Sequence, residues 1–191
     1  QIDKEYICEL VTGEDDTIYG LTLTGAFFTM KDLRITGFYS SESLGYGVIN
    51  TVYPDPENEG FVYLGTQNAT IVHCKLADGM KKGKVISVEP QQMVRCIREI
   101  NGLLWIAADT GIGFLENGKY TPLPDLPMNN SVEHIVEDYE GNLWFTSQRK
   151  GVMKVVNNQF SDVLVRYGLK HNVVNTTCLY DGDLFVGTDT G

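Results

Sequence analysis

An internal repeat of about 40 residues constrains the fold of this chain more than any other feature of its sequence. An aromatic residue follows a turn in each copy, and the aromatic positions are Tyr19, Tyr63, Trp105, Trp144 and Phe185. The intervals between successive positions are 44, 42, 39 and 41 residues. A period of this length is typical of repeat architectures, in which each copy folds into one supersecondary unit and neighbouring units share a core.

The clearest copy indicates what one unit contains. Residues 132–137 alternate in polarity, as an extended strand does, and turn residues follow at 138–142. Residues 143–146 form a second strand of aromatic and β-branched type, 152–156 form a third, and a fourth begins near Phe160. The unit is therefore predicted to be an antiparallel meander of four short strands.

Four short strands that recur with this period predict an all-β chain folded as a β-propeller. The chain, 1–191, is predicted to be a single partial propeller domain of about four and a half four-stranded antiparallel blades. A β-sandwich is the alternative fold, but a sandwich does not require self-similar units at this spacing. The units are placed at about residues 5–45, 46–90, 91–128, 129–168 and, truncated after two strands, 169–191.

The units resemble the two-component regulator propeller repeat. That repeat runs as Gly-Leu, a short polar stretch, Val-x-x-Ile-x-x-Asp, a Gly turn, Leu-Trp-Ile-Gly-Thr and a further Gly-Leu. The fourth unit matches it at Val132, Ile135, Asp138, Gly141, Leu143-Trp144 and Gly151. The last unit matches it at Gly168-Leu169, Val174, Gly182, Leu184-Phe185-Val186-Gly187-Thr188 and Gly191. The resemblance extends along the whole chain, although Tyr replaces Trp in the first two units.

The resemblance implies a function as well as a fold. Such repeats form the sensor regions of membrane-bound bacterial regulators, often as seven-bladed propellers followed by a transmembrane helix and a kinase or other output domain. The chain is therefore expected to be an incomplete fragment of a seven-bladed propeller, in the periplasm or at the cell surface. Its expected function is non-catalytic sensing of a small-molecule or oligosaccharide ligand for a two-component-type receptor.

Two alternative functions remain open. The Gly-Asn turn and Leu-Trp-Phe-Thr at 141–146 also resemble the repeats of streptogramin B lyases, which are propeller enzymes with a metal-assisted active site. That chemistry requires a histidine base and acidic metal ligands on one face, whereas His73, His134 and His171 are scattered. A plain protein-interaction scaffold is the other alternative.

Charge and hydropathy limit the partners of the chain. It has 15 basic and 25 acidic residues, and the resulting net charge of −10 repels phosphate backbones, so nucleic acid is not an expected partner. No apolar run approaches the roughly 18 residues of a membrane-spanning helix, so membrane contact is expected only through segments absent from this sequence. Uncovered strands and blade faces at the ends of a partial propeller favour self-association or a homodimer.

The sequence points to no catalytic residue, metal ligand or cofactor, and it leaves the ligand-binding residues unknown. Asp55 begins a stretch that resembles a calcium loop, but a turn carboxylate is the simpler interpretation, as it is for Asp15-Asp16. His73 and His134 lack the spacing of a metal pair and are interpreted as structural or solvated residues.

Some residues recur at one blade position, and others break the repeat. Trp105 and Trp144 recur, so they are predicted to pack between blades. Arg95, Arg98 and Arg149-Lys150 depart from the pattern, and irregular positions on a rigid scaffold are candidate ligand contacts. Solvated charges are the simpler interpretation of all four, so none of them is assigned to a site.

The four cysteines do not identify the compartment. Cys8, Cys74, Cys96 and Cys178 lie far apart, without a Cys-x-x-Cys motif. Cys8, Cys96 and Cys178 fall in apolar stretches predicted to be strands, so we expect them to be small buried hydrophobic residues.

Overall fold

Antiparallel sheets of four consecutive strands are the building unit of the structure. The computed structural model describes residues 5–13, 15–80, 83–156, 159–170 and 173–189. The first sheet contains β1 (Ile7–Thr12), β2 (Ile18–Thr22), β3 (Phe27–Lys31) and β4 (Arg34–Tyr39). The second contains β5 (Ile49–Pro54), β6 (Phe61–Thr66), β7 (Thr70–Lys75) and β8 (Lys84–Ser87).

Two further four-stranded sheets and a two-stranded sheet follow. The third contains β9 (Val94–Ile100), β10 (Leu103–Ala108), β11 (Gly111–Glu116) and β12 (Lys119–Pro122). The fourth contains β13 (Val132–Glu137), β14 (Leu143–Ser147), β15 (Gly151–Val156) and β16 (Gln159–Asp162). The fifth contains β17 (Val174–Tyr180) and β18 (Asp183–Thr188). Strands pair in chain order in every sheet, so each sheet is the predicted antiparallel meander.

Within the described residues, helix is confined to three short connections. The helix α1 (Ser41–Leu44) links the first sheet to the second, and α2 (Val163–Tyr167) links the fourth to the fifth. A 3-10 helix (Leu76–Asp78) lies between β7 and β8. The longest of the three has five residues, and no helix in this part of the chain could cross a membrane.

The first strands of the sheets lie side by side around a common axis. Strand β1 contacts β5, β5 contacts β9, β9 contacts β13, and β13 contacts β17. Each sheet therefore stacks on its neighbours and presents its first strand to the axis, which is the arrangement of blades in a β-propeller. The predicted all-β propeller of about four and a half blades is confirmed: among the described residues, four blades have four strands and the fifth has two.

The core of the arc lies between the blades. The interface of the first and second blades includes Leu21 and Leu64, both fully buried. The interface of the second and third blades includes Ile71 and Ile106, and that of the third and fourth includes Phe145. Each side chain of this size contributes about 1.5–3 kcal/mol when it leaves water, so every interface is a major source of stability.

The interface of the third and fourth blades confirms the predicted role of Trp105. Trp105 lies on β10 and packs against Phe145 on β14, with ring centroids 5.9 Å apart. Phe145 has no exposed surface. Trp105 is therefore a packing residue between blades, as its fixed place in the repeat indicated.

A β-bulge recurs at the same place in every first strand. Pairing between the first and second strands skips one residue, directly after the residue that begins the first strand. A bulge redirects the local side chains and increases the twist of the strand. The blades therefore present their bulged residues in the same way at one end of the arc. The skipped residues are Cys8, Asn50, Arg95, Glu133 and Asn175.

The prediction that Cys8, Cys96 and Cys178 are buried was wrong for two of the three. Cys96 is buried, as is Cys74, whereas Cys8 and Cys178 are exposed. The exposed pair lies on β1 and β17, in the first and last described blades, where one face of the blade has no neighbouring sheet among the described residues. An apolar stretch predicts a strand, but burial of its side chains also depends on a neighbouring blade.

We expect Phe145→Ala to destabilise the chain by about 3–5 kcal/mol, because the substitution leaves a cavity in a closed interface. Phe185→Ala is the matched control: Phe185 lies on the outermost described strand and is 56% exposed. Its loss should cost about 1 kcal/mol or less. Urea unfolding followed by tryptophan fluorescence measures both free energies. Equal losses in the two variants would contradict a core located between the blades.

Candidate functional site

Polar side chains on the first strands of four neighbouring blades interact electrostatically near the axis of the arc. They are Glu9 on β1, Tyr53 on β5, Arg98 on β9 and His134 on β13, and together they form the axial cluster. The guanidinium carbon of Arg98 lies 5.8 Å from the centroid of the Tyr53 ring. The positive charge of Arg98 opposes the burial that raises the pKa of Glu9, and it adds to the burial that lowers the pKa of His134. Because these three residues come from the first, second and fourth blades, Arg98 lies where the first strands converge.

Glu9 joins the first blade to the second. Its Oε1 accepts a hydrogen bond from Thr51 Oγ1 at 2.9 Å, and its Oε2 accepts one from the Val52 backbone N–H at 2.9 Å. Burial raises the pKa of Glu9 above its usual value, although the hydrogen bond from Val52 and the charge of Arg98 partly oppose that shift. Both oxygens of this carboxyl group are therefore engaged by the second blade.

His134 supplies a neutral polar group to the axial cluster. It is half-buried on β13, directly after the bulged residue Glu133, and pairs with Thr146 on β14. Burial lowers the pKa of His134 below its usual value, and the nearby charge of Arg98 lowers it further. The ring is therefore neutral at pH 7, where one nitrogen can donate a hydrogen bond and the other can accept one.

The two arginines of β9 have different surroundings. Arg95, at the bulge, lies 2.8 Å from Asp109 through its Nε and 3.9 Å from Glu133. Arg98 Nη1 donates to the Ile97 carbonyl at 2.7 Å, and no carboxylate of the described residues lies within ion-pair distance of its guanidinium. Arg95 thus forms ion pairs with two carboxylates, whereas Arg98 forms none among the described residues.

The other predicted contact candidates lie at the bulge end of the arc. Arg149 and Lys150 are exposed in the turn after β14, and their N–H groups both donate to Ser147 Oγ at 3.1 Å. The end of β14 pairs with the start of β13, so this turn lies at the same end as Arg95. The structure therefore brings three of the four candidate cations to one end and places Arg98 further along the axis.

The turn carboxylate of the fourth blade organises the motif that defines the repeat. Asp138 accepts hydrogen bonds from Trp144 Nε1 and from the Asn142 backbone N–H, both at 2.8 Å. Lys154 Nζ lies 3.4 Å from the same carboxylate and 4.8 Å from the centroid of the Trp144 ring. Burial by itself raises the pKa of Asp138, but the hydrogen bonds from Trp144 and Asn142 outweigh it and lower the pKa to about 2. The motif is a structural element of the blade.

The second blade builds the same arrangement from other residues. Asp55 follows β5 as Asp138 follows β13, and it accepts a hydrogen bond from the Glu57 backbone N–H at 2.9 Å. His73 Nε2 lies 2.7 Å from Asp55, and its ring stacks on Tyr63 with centroids 4.4 Å apart. The interpretation of Asp55 as a turn carboxylate is confirmed, and His73 is engaged within its own blade.

Two grooves lie between blades. One of about 690 Å³ separates the first two blades at the end opposite the bulges; Tyr53 lines it and so connects it to the axial cluster. Asp15, on its rim, forms an ion pair with Lys31 at 3.1 Å. The other groove, of about 430 Å³, is apolar and lies between the fourth blade and β17–β18, where Trp144 faces Val186. Trp144 thus faces a neighbouring blade, as Trp105 does.

Sequence reasoning had singled out two members of the axial cluster and missed the other two. Arg98 was a candidate because it breaks the repeat, and His134 was interpreted as structural or solvated. Each of the other two had one weak sequence signal of a functional role. Glu9 is a single charge in an apolar strand, and Tyr53 is an aromatic residue on a first strand. His171 lies outside the described residues. Within the part that the structure describes, no group of three or more acidic, histidine or cysteine side chains is placed to hold a metal ion.

The fourth blade carries the family signature. Residues 126–149 match the family model described as two component regulator propeller. These residues form a two component regulator propeller repeat. The repeat spans β13, the turn held by Asp138, and β14, so its defining residues are those that build the blade. No curated protein matches the chain.

Solved structures with similar folds include extracellular regulator propellers. The extracellular domain of BT3049 from B. thetaiotaomicron, described as a hybrid two component system, superposes with a TM-score of 0.75 at 16% identity. The extracellular domain of BT4673 from the same organism, described as a one component system, superposes with a TM-score of 0.70 at 17% identity. The matches cover 95% and 96% of this chain but only 25% and 28% of those chains.

A propeller enzyme has a comparable fold. Virginiamycin B lyase from Staphylococcus aureus superposes with a TM-score of 0.71 at 16% identity, over 96% of this chain and 63% of the lyase. At these identities the similarity concerns the fold alone. The fold is therefore shared by extracellular domains of one component and two component systems and by at least one enzyme, so the fold alone does not identify the function of this chain.

We expect Asp138→Asn to remove an acid-sensitive part of the stability of the regulator propeller repeat. The pKa of Asp138 is about 2 in the folded chain and about 3.9 when unfolded, so its contribution is complete above about pH 4 and is lost as pH falls towards 2. The difference in free energy of unfolding between wild type and variant should therefore shrink below about pH 4. Urea unfolding across this range measures it.

The matched control is Asp183→Asn, which changes an exposed carboxylate at the start of β18. Its free energy of unfolding should follow that of the wild type at every pH. A difference for Asp138→Asn that stays constant down to about pH 2 would show that the carboxylate charge does not hold the turn.

Proposed function

We propose that this chain is a non-catalytic, ligand-sensing propeller module in the extracytoplasmic part of a two-component-type signalling receptor. The observation that carries the proposal is the axial cluster. Adjacent first strands of four blades carry a carboxyl group, a phenol, a guanidinium and an imidazole near the axis, and the guanidinium has no carboxylate partner among the described residues. A preorganised polar set on a rigid scaffold is what specific recognition of a small polar ligand requires.

The regulator repeat supports the signalling part of the proposal. Its motif residues, such as Asp138 and Trp144, are engaged within the blade, so recognition falls to side chains outside the motif. The extracellular regulator propellers with similar folds favour an extracytoplasmic location for this chain as well. An oligosaccharide is the proposed ligand class, because sugars combine hydroxyl groups for the imidazole and carboxyl groups with a ring face for Tyr53.

We expect calorimetry with a panel of neutral and acidic mono- and disaccharides to detect binding to the 191-residue chain. His134→Ala should weaken the affinity by about tenfold, because the variant loses one hydrogen bond to a buried ligand. Tyr180→Ala, an exposed position on β17, should leave the affinity unchanged. Absence of binding by the whole panel would contradict the proposal.

A lyase-like function is the second candidate, favoured by the fold of the virginiamycin B lyase. Its signature is metal-dependent turnover of a lactone or sugar substrate, abolished by His134→Ala or His171→Ala. Turnover of that kind would replace the non-catalytic proposal.

We also propose that the chain self-associates through the outer sheets of the arc. Large apolar side chains are exposed at both ends: Leu33 and Tyr180 are 90% and 73% exposed. Sedimentation velocity should show a concentration-dependent dimer or larger species that Leu33→Asp or Phe185→Asp converts to monomer, since a charge in an apolar interface is costly. Val85→Asp, at a 56% exposed position on β8 of the second blade, is the control and should keep the association of the wild type. A monomer at every concentration would contradict self-association.

A further inference from the structure

The charge of Arg98 is the unusual feature of the axial cluster. The guanidinium has five N–H donors in a planar fork, and among the described residues Nη1 donates to the Ile97 carbonyl at 2.7 Å. Arg95, three residues earlier, shows what the protein does with a cation that it neutralises: it places Asp109 at 2.8 Å and Glu133 at 3.9 Å. Arg98 receives no such partner from the described chain.

The carboxyl group on which the charge of Arg98 acts does not form an ion pair with it. Glu9 is the carboxyl group whose pKa responds to Arg98, but its two oxygens accept hydrogen bonds from Thr51 and Val52 of the second blade at 2.9 Å each. Glu9 is therefore directed to the second blade. Apart from the Nη1 group that donates to Ile97, the guanidinium donors of Arg98 have no partner among the described residues.

The surroundings of Arg98 orient the guanidinium. The Tyr53 ring lies 5.8 Å from its central carbon, at a distance where a cation and an aromatic face attract each other. The bond from Nη1 to the Ile97 carbonyl restrains the fork from another side. A planar fork restrained in this way matches the two oxygens of a carboxylate, and it also suits one face of a sulfate.

We propose that the axial cluster binds an oxyanion carried by the sensed ligand, with Arg98 as the residue that contacts it and Tyr53 as the residue that positions Arg98. This inference rests on the proposed sensor function and adds the ligand class: an acidic saccharide, carboxylated or sulfated. The imidazole of His134, on the adjacent first strand, supplies a hydrogen bond to a neutral group of the same ligand.

The site also explains how a chain with a net charge of −10 can take an anionic ligand. Long-range repulsion between exposed charges is screened over roughly 8 Å at physiological salt. A contact with a half-buried guanidinium is screened much less. Local attraction at Arg98 therefore outweighs the overall charge of the chain.

Calorimetry with glucuronate and glucose tests the proposal, since the two sugars differ by one carboxylate. We expect the 191-residue chain to bind glucuronate and to bind glucose at least about tenfold more weakly, which is the effect of losing a hydrogen bond to a charged group. Arg98→Ala should reduce the glucuronate affinity by a similar factor. Arg98→Lys, which keeps the charge without the fork, should fall between the two. Glucose 6-sulfate in place of glucuronate distinguishes the two oxyanions.

The matched control is Arg34→Ala, which removes an exposed arginine from β4 and makes the same change in net charge. Its glucuronate affinity should equal that of the wild type. Far-UV circular dichroism verifies that each variant is folded. If Arg98→Ala does not fold, NMR of the wild type tests the proposal instead. Glucuronate should then shift the ring signals of His134. The ring signals of His73, which contacts Asp55, should not shift.

The outcomes separate this inference from the proposed function. Unchanged glucuronate affinity in Arg98→Ala, or glucose binding as tightly as glucuronate, would overturn the oxyanion site and leave a sensor of neutral ligands intact. If neither glucuronate, glucose 6-sulfate nor any neutral sugar of the panel binds, the oxyanion site and the proposed sensor function are both overturned. Binding of either oxyanion that depends on Arg98 supports the inference.

Discussion

Burial of sheet faces between neighbouring blades is the interaction on which the rest of this structure depends. A four-stranded sheet has two faces, and it cannot cover either of them by itself. Leu21 and Phe145 are buried because a second sheet stacks on each of their blades, and the stacking brings the first strands together around one axis. Where a neighbouring sheet is absent from the described chain, as beside Cys178, the same type of strand leaves its residues exposed.

Within a blade, a buried carboxylate ties the turn to the second and third strands. Asp138 binds the Trp144 indole and Lys154, and Asp55 in the second blade contacts His73, whose ring stacks on Tyr63. The two sets differ in chemistry but connect the same strands. Because these polar groups pair within the blade, the residues of the matched repeat carry little information about a ligand.

Near the axis, a polar side chain can remain without a partner from another blade. First strands pair with a second strand on one edge only, and their other edge faces the axis, so side chains there contact residues of several blades without entering a closed core. Glu9 uses that freedom to connect two blades, and Arg95 is neutralised at the bulge. Of Glu9, Arg95 and Arg98, only Arg98 lacks a carboxylate or backbone partner from another blade in the described chain. Arg98 is therefore the residue proposed to contact the ligand.

The period of the repeat, its glycine turns and its aromatic positions were sufficient to predict the propeller, the strands of the fourth blade, and the packing role of Trp105, because these features repeat locally about every 40 residues. Local patterns do not report which residues meet across blades. The bulges, the exposure of Cys8 and the different surroundings of Arg95 and Arg98 depend on contacts between distant parts of the chain. The amino-acid sequence by itself determined the blade, whereas the stacking of blades decided which charges were paired and which one was left at the axis.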